Sequence, residues 1–305
     1  MGVRFFSTRN RLPHLGPYPL ERLKRAAAIP DLSNLPPTPS LNFSKLDTPH
    51  SLVNAMGEYQ AMMDVLRAGP ENSELAAAPT DPTERANHMK SFGYFQDASM
   101  IGICKMPEGA VLAEATRNPD IDRLSDDIRT KQTKTLASGI DEIMASLRET
   151  VDTPLGSIDS HTHAIVVLFE HTRAPDKNEP GSEWINDACS YRAALRATET
   201  AVILSSYFQL LGYQARAHTA TSSDVDLNIL TVAAGLASLE NGEVVAPFIG
   251  TGFGVAVVTT NMEMTTEEPL APLSQQTNGP AWWLCLLYTS PSPRDATLYR
   301  MPSSA

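Results

Sequence analysis

Cysteine is scarce in this chain, which has three among its 305 residues. Cys285 lies in the C-terminal tail, so Cys104 and Cys189 are the two that remain in the rest of the sequence. Two cysteines are too few for a disulfide framework or for a metal site built from thiolates, and we interpret both as small buried side chains. Because the scarcity suits a reducing compartment, we expect a cytoplasmic protein.

Basic residues and long apolar runs are also in short supply. The chain has 24 lysines and arginines against 35 aspartates and glutamates, a formal net charge of −11. An acidic chain of this kind is a poor binder of nucleic acid. No segment reaches the roughly 20 apolar residues that a membrane-spanning helix needs, and the N-terminus has no secretory signal. We therefore expect neither a nucleic-acid partner nor a membrane span.

Residues 285–305 have no helical or strand periodicity, although the segment before them is apolar. The string from Cys285 to Asp295 reads as the translation of a transposon-type sequencing adapter. We interpret residues 285–305 as an artefact and exclude them from the fold. The expectation is that the natural protein continues differently after Leu284.

Prolines divide the remaining chain. Residues 1–50 contain eight prolines, which permit only short helices such as 20–28, so an extended Pro-rich N-terminal arm is predicted. Residues 51–66 predict a helix capped by Ser51 whose methionines fill the core. Its apolar stripe consists of Leu52, Ala55, Met56, Tyr59, Met62, Met63 and Leu66. We assign 1–80 to an arm and a helix, and 81–284 to one domain.

Helices and strands alternate from about residue 81 onward. Residues 164–169 are apolar at successive positions, which indicates a strand buried on both faces. The pattern predicts a three-layer α/β fold with helices covering a sheet. Helices are expected at 81–92, 130–150, 184–211 and 224–236, and strands at 98–104, 164–169, 214–218, 244–248 and 255–260.

His161 and His163 form the first candidate site. Alternation along a strand puts both imidazoles on one face, where they could reach one metal ion. We interpret them as hydrogen-bonded histidines at a strand end, and a mononuclear metal site remains the alternative. The glycine-rich stretch 250–254 is a weak second candidate, because no helix follows it as a dinucleotide-binding motif requires.

Several segments, taken in order, resemble one family, the corrinoid and iron–sulfur reductive dehalogenases, which are related to epoxyqueuosine reductases. The similarity covers about 81–269, and its strength lies in the order of the segments. The segments are Phe92–Ile103, His163–Glu170, Tyr191–Ala215, Val232–Leu236 with Asn241 and Gly242, and Val257–Thr260.

The resemblance implies a nitroreductase-like sandwich that binds cobalamin and removes halide from an organohalide. Electrons would come from two [4Fe–4S] clusters and ultimately from an electron-donor protein or domain, while a tyrosine supplies the proton. Tyr191 matches the position of that tyrosine. The resemblance places the remaining matched residues beside the cofactor: Thr221, Ser222, Gly235, Leu236 and Gly250.

Two departures from the family pattern concern function. The turn at 247–254 has no lysine or arginine where the family has its basic residue, and the cysteine motifs of the clusters are missing before the tail. We therefore expect this chain alone to be inactive and its clusters to lie in a C-terminal part outside the sequence. One alternative is a duplicated, cofactor-free scaffold that packs on a downstream corrinoid domain. Another is a metal-binding protein that uses His161 and His163.

Overall fold

The structure is a computed structural model. It describes residues 11–38, 41–45, 47–122, 155–185, 187–272 and 275–276. The helix predicted at 130–150 and the tail at 285–305 lie outside the described residues.

An antiparallel sheet is the centre of the fold. Its four strands lie in the order β1-β3-β8-β4. Two further pairs, β2 with β5 and β6 with β7, lie apart from this sheet. In chain order the strands are β1 (Met100–Lys105), β2 (Val111–Thr116), β3 (His163–Glu170), β4 (Ala215–His218), β5 (Ser223–Val225), β6 (Ser238–Glu240), β7 (Glu243–Val245) and β8 (Phe253–Thr260).

Three of the helices begin where a polar side chain satisfies a free backbone N–H group. Ser51, Asp81 and Asp226 each accept a hydrogen bond from an amide in the first turn of the helix that follows. The helices are α1 (Leu52–Val65), α2 (Pro82–Phe95), α3 (Ser182–Ile185), α4 (Cys189–Leu210) and α5 (Leu227–Ala233).

Both faces of the sheet are covered. In β3, Ile165 and Val167 pack into a core with α2 and α4, whereas Val166 and Leu168 pack into a second core with α5. Every residue of β3 except Glu170 is buried. The prediction of a mixed helix and sheet fold with helices over a sheet therefore agrees with the structure.

The N-terminal arm contributes to one of these cores. Leu20 and Leu23 pack with α5, and the backbone of the arm pairs with the segment after β8, where Ala26 N donates to Pro269 O at 2.8 Å. The helix predicted at 20–28 is limited to a single 3-10 turn, Leu20–Arg22. The domain boundary at residue 80 stays a prediction, although α1 packs against α4.

Three predicted elements have different bounds. The long helix begins at Cys189, not at 184, because α3 and a turn precede it. The helix expected at 224–236 begins at Leu227, since Ser223–Val225 pairs with β2 and Asp226 provides the cap. The strand expected at 244–248 does not close the main sheet.

That strand is β7, which forms a hairpin with β6. Asn241 and Gly242 join them with φ values of 53° and 86°, the positive values that a tight two-residue hairpin turn requires. The Asn-Gly pair is a recognised signal for such a turn, so the local sequence explains why β7 pairs with its neighbour.

The prediction for α1 is correct only in part. Met56 and Met63 pack against the cores as expected, whereas Tyr59 and Met62 are 64% and 50% exposed. The inner face of α1 is mixed, because Gln60 and Asp64 are buried beside Val53 and Ala61. None of the helices in the described parts of the chain is long and apolar enough to cross a membrane.

A close approach between α4 and β8 generates a prediction about stability. A Cβ at Gly254 would overlap the backbone of Ala193 and Ala194, which cannot move away as a side-chain tip could. Gly254→Ala should lower the free energy of unfolding by about 3 kcal/mol. Urea unfolding followed by circular dichroism measures this, with Gly156→Ala as the matched control, because a Cβ at Gly156 meets no atom within 4 Å. Equal stability of the two variants would contradict the packing of α4 on β8.

Candidate functional site

Tyr191 lies in the first turn of α4 and is half-buried beneath the N-terminal arm. Phe43 of the arm meets it edge to face, with 5.0 Å between the ring centroids. Lys45 Nζ lies 5.0 Å from the centroid of the Tyr191 ring and 2.7 Å from Asp187 Oδ2. The turn at 247–254 has no lysine or arginine, but Lys45 of the arm places a cation next to Tyr191.

Thr221 belongs to a buried network around Asp64 of α1. Thr221 Oγ1 donates to Asp64 Oδ2 at 2.5 Å, and Thr219 Oγ1 donates to Asp64 Oδ1 at 2.7 Å. Asn118 Nδ2 and Gln60 Nε2 donate to the same carboxyl group at 2.8 and 3.1 Å. Thr221 is 4% exposed, so its hydroxyl is directed into the protein.

Ser222 lies in the same loop and is 1% exposed. Its Oγ accepts a hydrogen bond of 3.1 Å from the backbone N–H of Asn118, and its carbonyl accepts one of 2.8 Å from Thr219 N. These contacts join the loop after β4 to the segment after β2. Ser222 therefore has a structural role in the described contacts.

The electrostatics of Asp64 follow from its burial. Burial raises the pKa of Asp64, and the hydrogen bonds from Thr221, Thr219, Asn118 and Gln60 oppose this shift without cancelling it. The carboxyl group has no cation among these partners, so burial makes its ionisation more costly than in water, while the four donors favour the carboxylate.

A second buried polar cluster contains His161. Its Nδ1 lies 2.7 Å from Thr259 Oγ1, and His218 Nε2 lies 2.9 Å from the same oxygen. Burial lowers the pKa of His161 to about 4 and lowers that of His218 well below its usual value. Both imidazoles are therefore neutral at pH 7. Their shared hydroxyl partner supports the interpretation of His161 as a hydrogen-bonded histidine.

His163 has a different neighbour. Its Nδ1 lies 2.8 Å from Thr162 Oγ1, and burial lowers the pKa of its imidazole. In the parts of the chain that the structure describes, no group of three or more histidine, cysteine, aspartate or glutamate side chains is arranged to hold a metal ion. The alternative of a metal site at His161 and His163 thus receives no support from these contacts.

One acidic residue, Asp224, and two arginines, Arg67 and Arg216, complete the cluster near His161. Asp224 Oδ2 accepts from Arg67 Nη1 at 2.9 Å and from Arg216 Nη1 at 3.2 Å. Although burial raises the pKa of Asp224, these arginines hold it below its usual value. The two arginines therefore favour the ionised form of Asp224, whereas Asp64 has no cation among its hydrogen-bond partners.

Gly235 and Leu236 follow α5, and the chain covers them itself. Gly235 has a φ of 63°, and a Cβ there would overlap Arg25 Nη1 and the carbonyl of Glu268. Arg25 Nη1 donates to the carbonyl oxygens of Gly235 and Glu268 at 2.8 and 2.9 Å. Leu236 is 1% exposed and packs on Gly102 of β1. The arm thus occupies the space that a ligand beside Gly235 would need.

Gly250 lies apart from the other matched residues, in the connection between β7 and β8. Its N–H and carbonyl exchange two hydrogen bonds of 2.9 Å with Ala246, and its φ is 66°. A Cβ at Gly250 would meet no atom within 4 Å. Its conformation explains the glycine without a ligand.

The matched residues do not form one cleft. Tyr191 and Ala220 share a small apolar cluster, which places the loop of Thr221 and Ser222 near Tyr191, at the β4 edge of the sheet. Leu236 packs instead on Gly102 of β1, which is the strand at the other edge of the sheet. Thr221, Ser222 and Leu236 are buried in separate contacts and Arg25 lies against Gly235, so the matched residues do not line one pocket for a corrinoid.

Three residues of these sites were not predicted from the sequence. Arg25 and Lys45 lie in the Pro-rich arm, where no local pattern relates them to Gly235 or Tyr191. Asp64 is an acidic residue among apolar positions of the helix predicted at 51–66. An acidic residue beside Met63 and Val65 was the one available signal of a buried polar group.

The buried carboxyl group predicts a dependence of stability on pH. Because the pKa of Asp64 is raised in the folded state, folding binds a proton there, and this contribution is complete below the ordinary aspartate pKa of about 4. It is lost as the pH rises through the raised pKa, by up to about 1.4 kcal/mol per pH unit. Urea unfolding from pH ~4 to ~7 should show this loss in the wild type relative to Asp64→Asn. Asp159→Asn changes an exposed aspartate and serves as the control; the same pH profile for Asp64→Asn and wild type would overturn the assignment.

Solved structures of the catabolic reductive dehalogenase NpRdhA match this chain. The N-terminally tagged protein is 31% identical with a TM-score of 0.68, and the match covers 98% of this chain and 36% of that chain. The complex with 3-bromo-4-hydroxybenzoic acid gives the same values. A third structure, described as suggesting a mechanism for B12-dependent dehalogenation, is 32% identical with the same TM-score and coverage.

Other comparisons add little. The epoxyqueuosine reductase from Bacillus subtilis matches at 12% identity and a TM-score of 0.35 over 61% of this chain and 48% of that chain, which is too weak to carry an argument. No family model matches the chain, and no curated protein matches it either. This chain spans about a third of the length of the dehalogenases that it matches. The resemblance expected from the sequence is confirmed, since the structural relatives of this chain are reductive dehalogenases.

Proposed function

We propose that this chain is part of a cytoplasmic oxidoreductase of the reductive dehalogenase type, and that it serves there as a cofactor-free supporting domain. The corrinoid and the [4Fe–4S] clusters belong, in this proposal, to the remainder of a longer protein. The domain itself has the nitroreductase-like sandwich expected from the resemblance. The coverage of about a third of NpRdhA supports the longer protein.

The observation that carries the supporting role is the position of Arg25. Its guanidinium occupies the space over Gly235 and binds two backbone carbonyls there. In a domain that binds the cofactor, this glycine would leave room for a flat ligand. In this chain, we propose, the same room is taken by an arginine of the chain itself. Burial lowers the pKa of Arg25, but this guanidinium keeps its charge at any physiological pH.

The overall reaction of reductive dehalogenation determines which groups the remainder of the longer protein must supply. Replacing a carbon–halogen bond by a carbon–hydrogen bond consumes two electrons and one proton and releases halide. A four-cysteine cluster is beyond this chain, which has three cysteines. Burial raises the pKa of the Cys104 thiol to about 12, so this residue is a thiol at neutral pH. The electron donor and the organohalide would therefore engage the remainder of the protein.

A second candidate function keeps Tyr191 as a proton donor. The observation in its favour is Lys45, whose ammonium lies over the Tyr191 ring and pairs with Asp187. The ammonium is held at the face of the ring by a cation–π contact, so a charged group lies beside the phenol that would donate the proton. Under this candidate the corrinoid would have to lie outside the closed contacts around Thr221 and Gly235.

Metal content tests the proposal. The uninterrupted reading frame and this chain are expressed anaerobically with cobalamin and iron, and cobalt and iron are counted alongside the ultraviolet–visible spectrum. We expect cobalt and iron in the longer protein and neither in this chain, because the residues of the chain are engaged with one another. Stoichiometric cobalt in this chain alone would contradict the supporting role.

Substitution of Tyr191 separates the two candidates. In the longer protein, Tyr191→Phe removes the phenolic hydroxyl and keeps the contact with Phe43. A supporting role predicts turnover of an aryl halide within about twofold of wild type, whereas loss of a general acid lowers turnover by about 100-fold or more. Phe43→Leu is the matched control, since it loosens the same contact without removing a proton donor. A large loss confined to Tyr191→Phe would establish the second candidate.

A further inference from the structure

Helix α1 is apolar on two sides. Its inner face buries Val53 and Ala61 together with Gln60 and Asp64, and these two polar residues join a network with Thr198, Thr219 and Thr221. An amphipathic helix on a protein surface normally has a polar outer face. The outer face of α1 is instead mainly apolar and exposed.

The outer face of α1 has a regular pattern. Leu52, Tyr59, Met62 and Leu66 are 40%, 64%, 50% and 44% exposed, and Ala55 is exposed between them. Successive spacings of three and four residues give the narrow seam on which a second helix packs. Glu58 is the one charged residue exposed along this seam within α1. An apolar patch of this kind on a soluble protein marks an interaction surface.

Helix α4 does not extend this surface. Its residue Thr198 faces α1 through Gln60, whereas the exposed Tyr207 stacks on Phe92 of α2 at a centroid distance of 6.1 Å. The seam is thus formed by side chains of α1, and a helix of this kind requires no rearrangement to receive a partner.

Two facts identify the occupant. The chain spans 36% of the dehalogenase that it matches, so the greater part of such a protein lies outside this chain. A second copy is disfavoured because each chain carries a net charge of −11, and two molecules of like charge repel one another. A covalently linked partner also loses little entropy on docking, since it is held at high effective concentration.

We propose that the outer face of α1, from Leu52 to Leu66, is the surface on which the remainder of the longer polypeptide packs, through an apolar face of one of its own helices. This inference rests on the proposed function, because it assumes that such a remainder exists. It adds the location of the contact, which neither the resemblance nor the comparisons supply.

Oxidative footprinting tests the location. Hydroxyl-radical oxidation of Tyr59 and Met62 is measured by mass spectrometry in this chain alone and in the longer protein. A packed interface excludes water from its centre, so both residues should react about tenfold more slowly in the longer protein. Phe95, which is 80% exposed at the end of α2, provides the comparison on another face. Unchanged rates at Tyr59 and Met62 in a longer protein that contains cobalt and iron would overturn the interface and leave the proposed function intact.

A charge placed in the seam tests whether apolar contact at Met62 holds the interface together. Met62→Glu introduces a carboxylate at a half-exposed position, so this chain should keep its own unfolding midpoint. In the longer protein the same substitution should restore oxidation of Tyr59 to within about twofold of the rate in the chain alone, because a charge is costly in an apolar contact. Phe95→Glu is the matched control and should leave Tyr59 protected.

The remaining outcomes distinguish a failure of the proposed function from a failure of the interface. If the longer protein lacks cobalt and iron, the proposed function fails, and protection of Tyr59 and Met62 still supports the interface. Sedimentation velocity of this chain should show a monomer. A dimer that Met62→Glu dissociates would assign the seam to a second copy and overturn the inference.

Discussion

Burial of both faces of β3 is the constraint on which the rest of the structure depends. The strand is buried from His163 to Phe169, so each face of the sheet needs a complete cover. Helix α4 covers one face and approaches β8 closely enough to require Gly254. The other face is covered by α5 together with Leu20 and Leu23 of the arm. The arm is therefore part of the core, and its position determines what can approach the sheet.

The same arm closes the places at which a family cofactor would be expected. Arg25 lies over Gly235, while Phe43 and Lys45 lie over Tyr191. A domain with the fold of a redox enzyme thus satisfies its own polar and apolar groups. Fold similarity alone does not transfer activity, since activity resides in the arrangement of a site. The contacts of Arg25 with the carbonyls of Gly235 and Glu268 are consistent with a domain that supports a cofactor domain.

Much of the fold could be predicted from local patterns. The strands near 98–104, 164–169 and 255–260 are continuous apolar runs, and their burial follows from composition. The start of α5 could not be predicted, because Ser223–Val225 pairs with β2, a strand that the pattern did not reveal. The burial of α1 was predicted only in part, since Met56 and Met63 pack against the cores while Met62 is exposed; periodicity identifies a stripe without saying what covers it. Nor could the sequence relate Asp64 to Thr221, whose hydroxyl is 157 positions away.

The sequence by itself determined the family resemblance, the mixed helix and sheet content and the scarcity of cysteine, because each depends on residue identity or on neighbours within a few positions. Tertiary structure decided which residues meet. It placed Lys45 over Tyr191 and Arg25 over Gly235, and it turned Gln60 and Asp64 of α1 toward the interior. These contacts join residues far apart in the chain, and their free energies depend on burial, which a linear pattern does not contain.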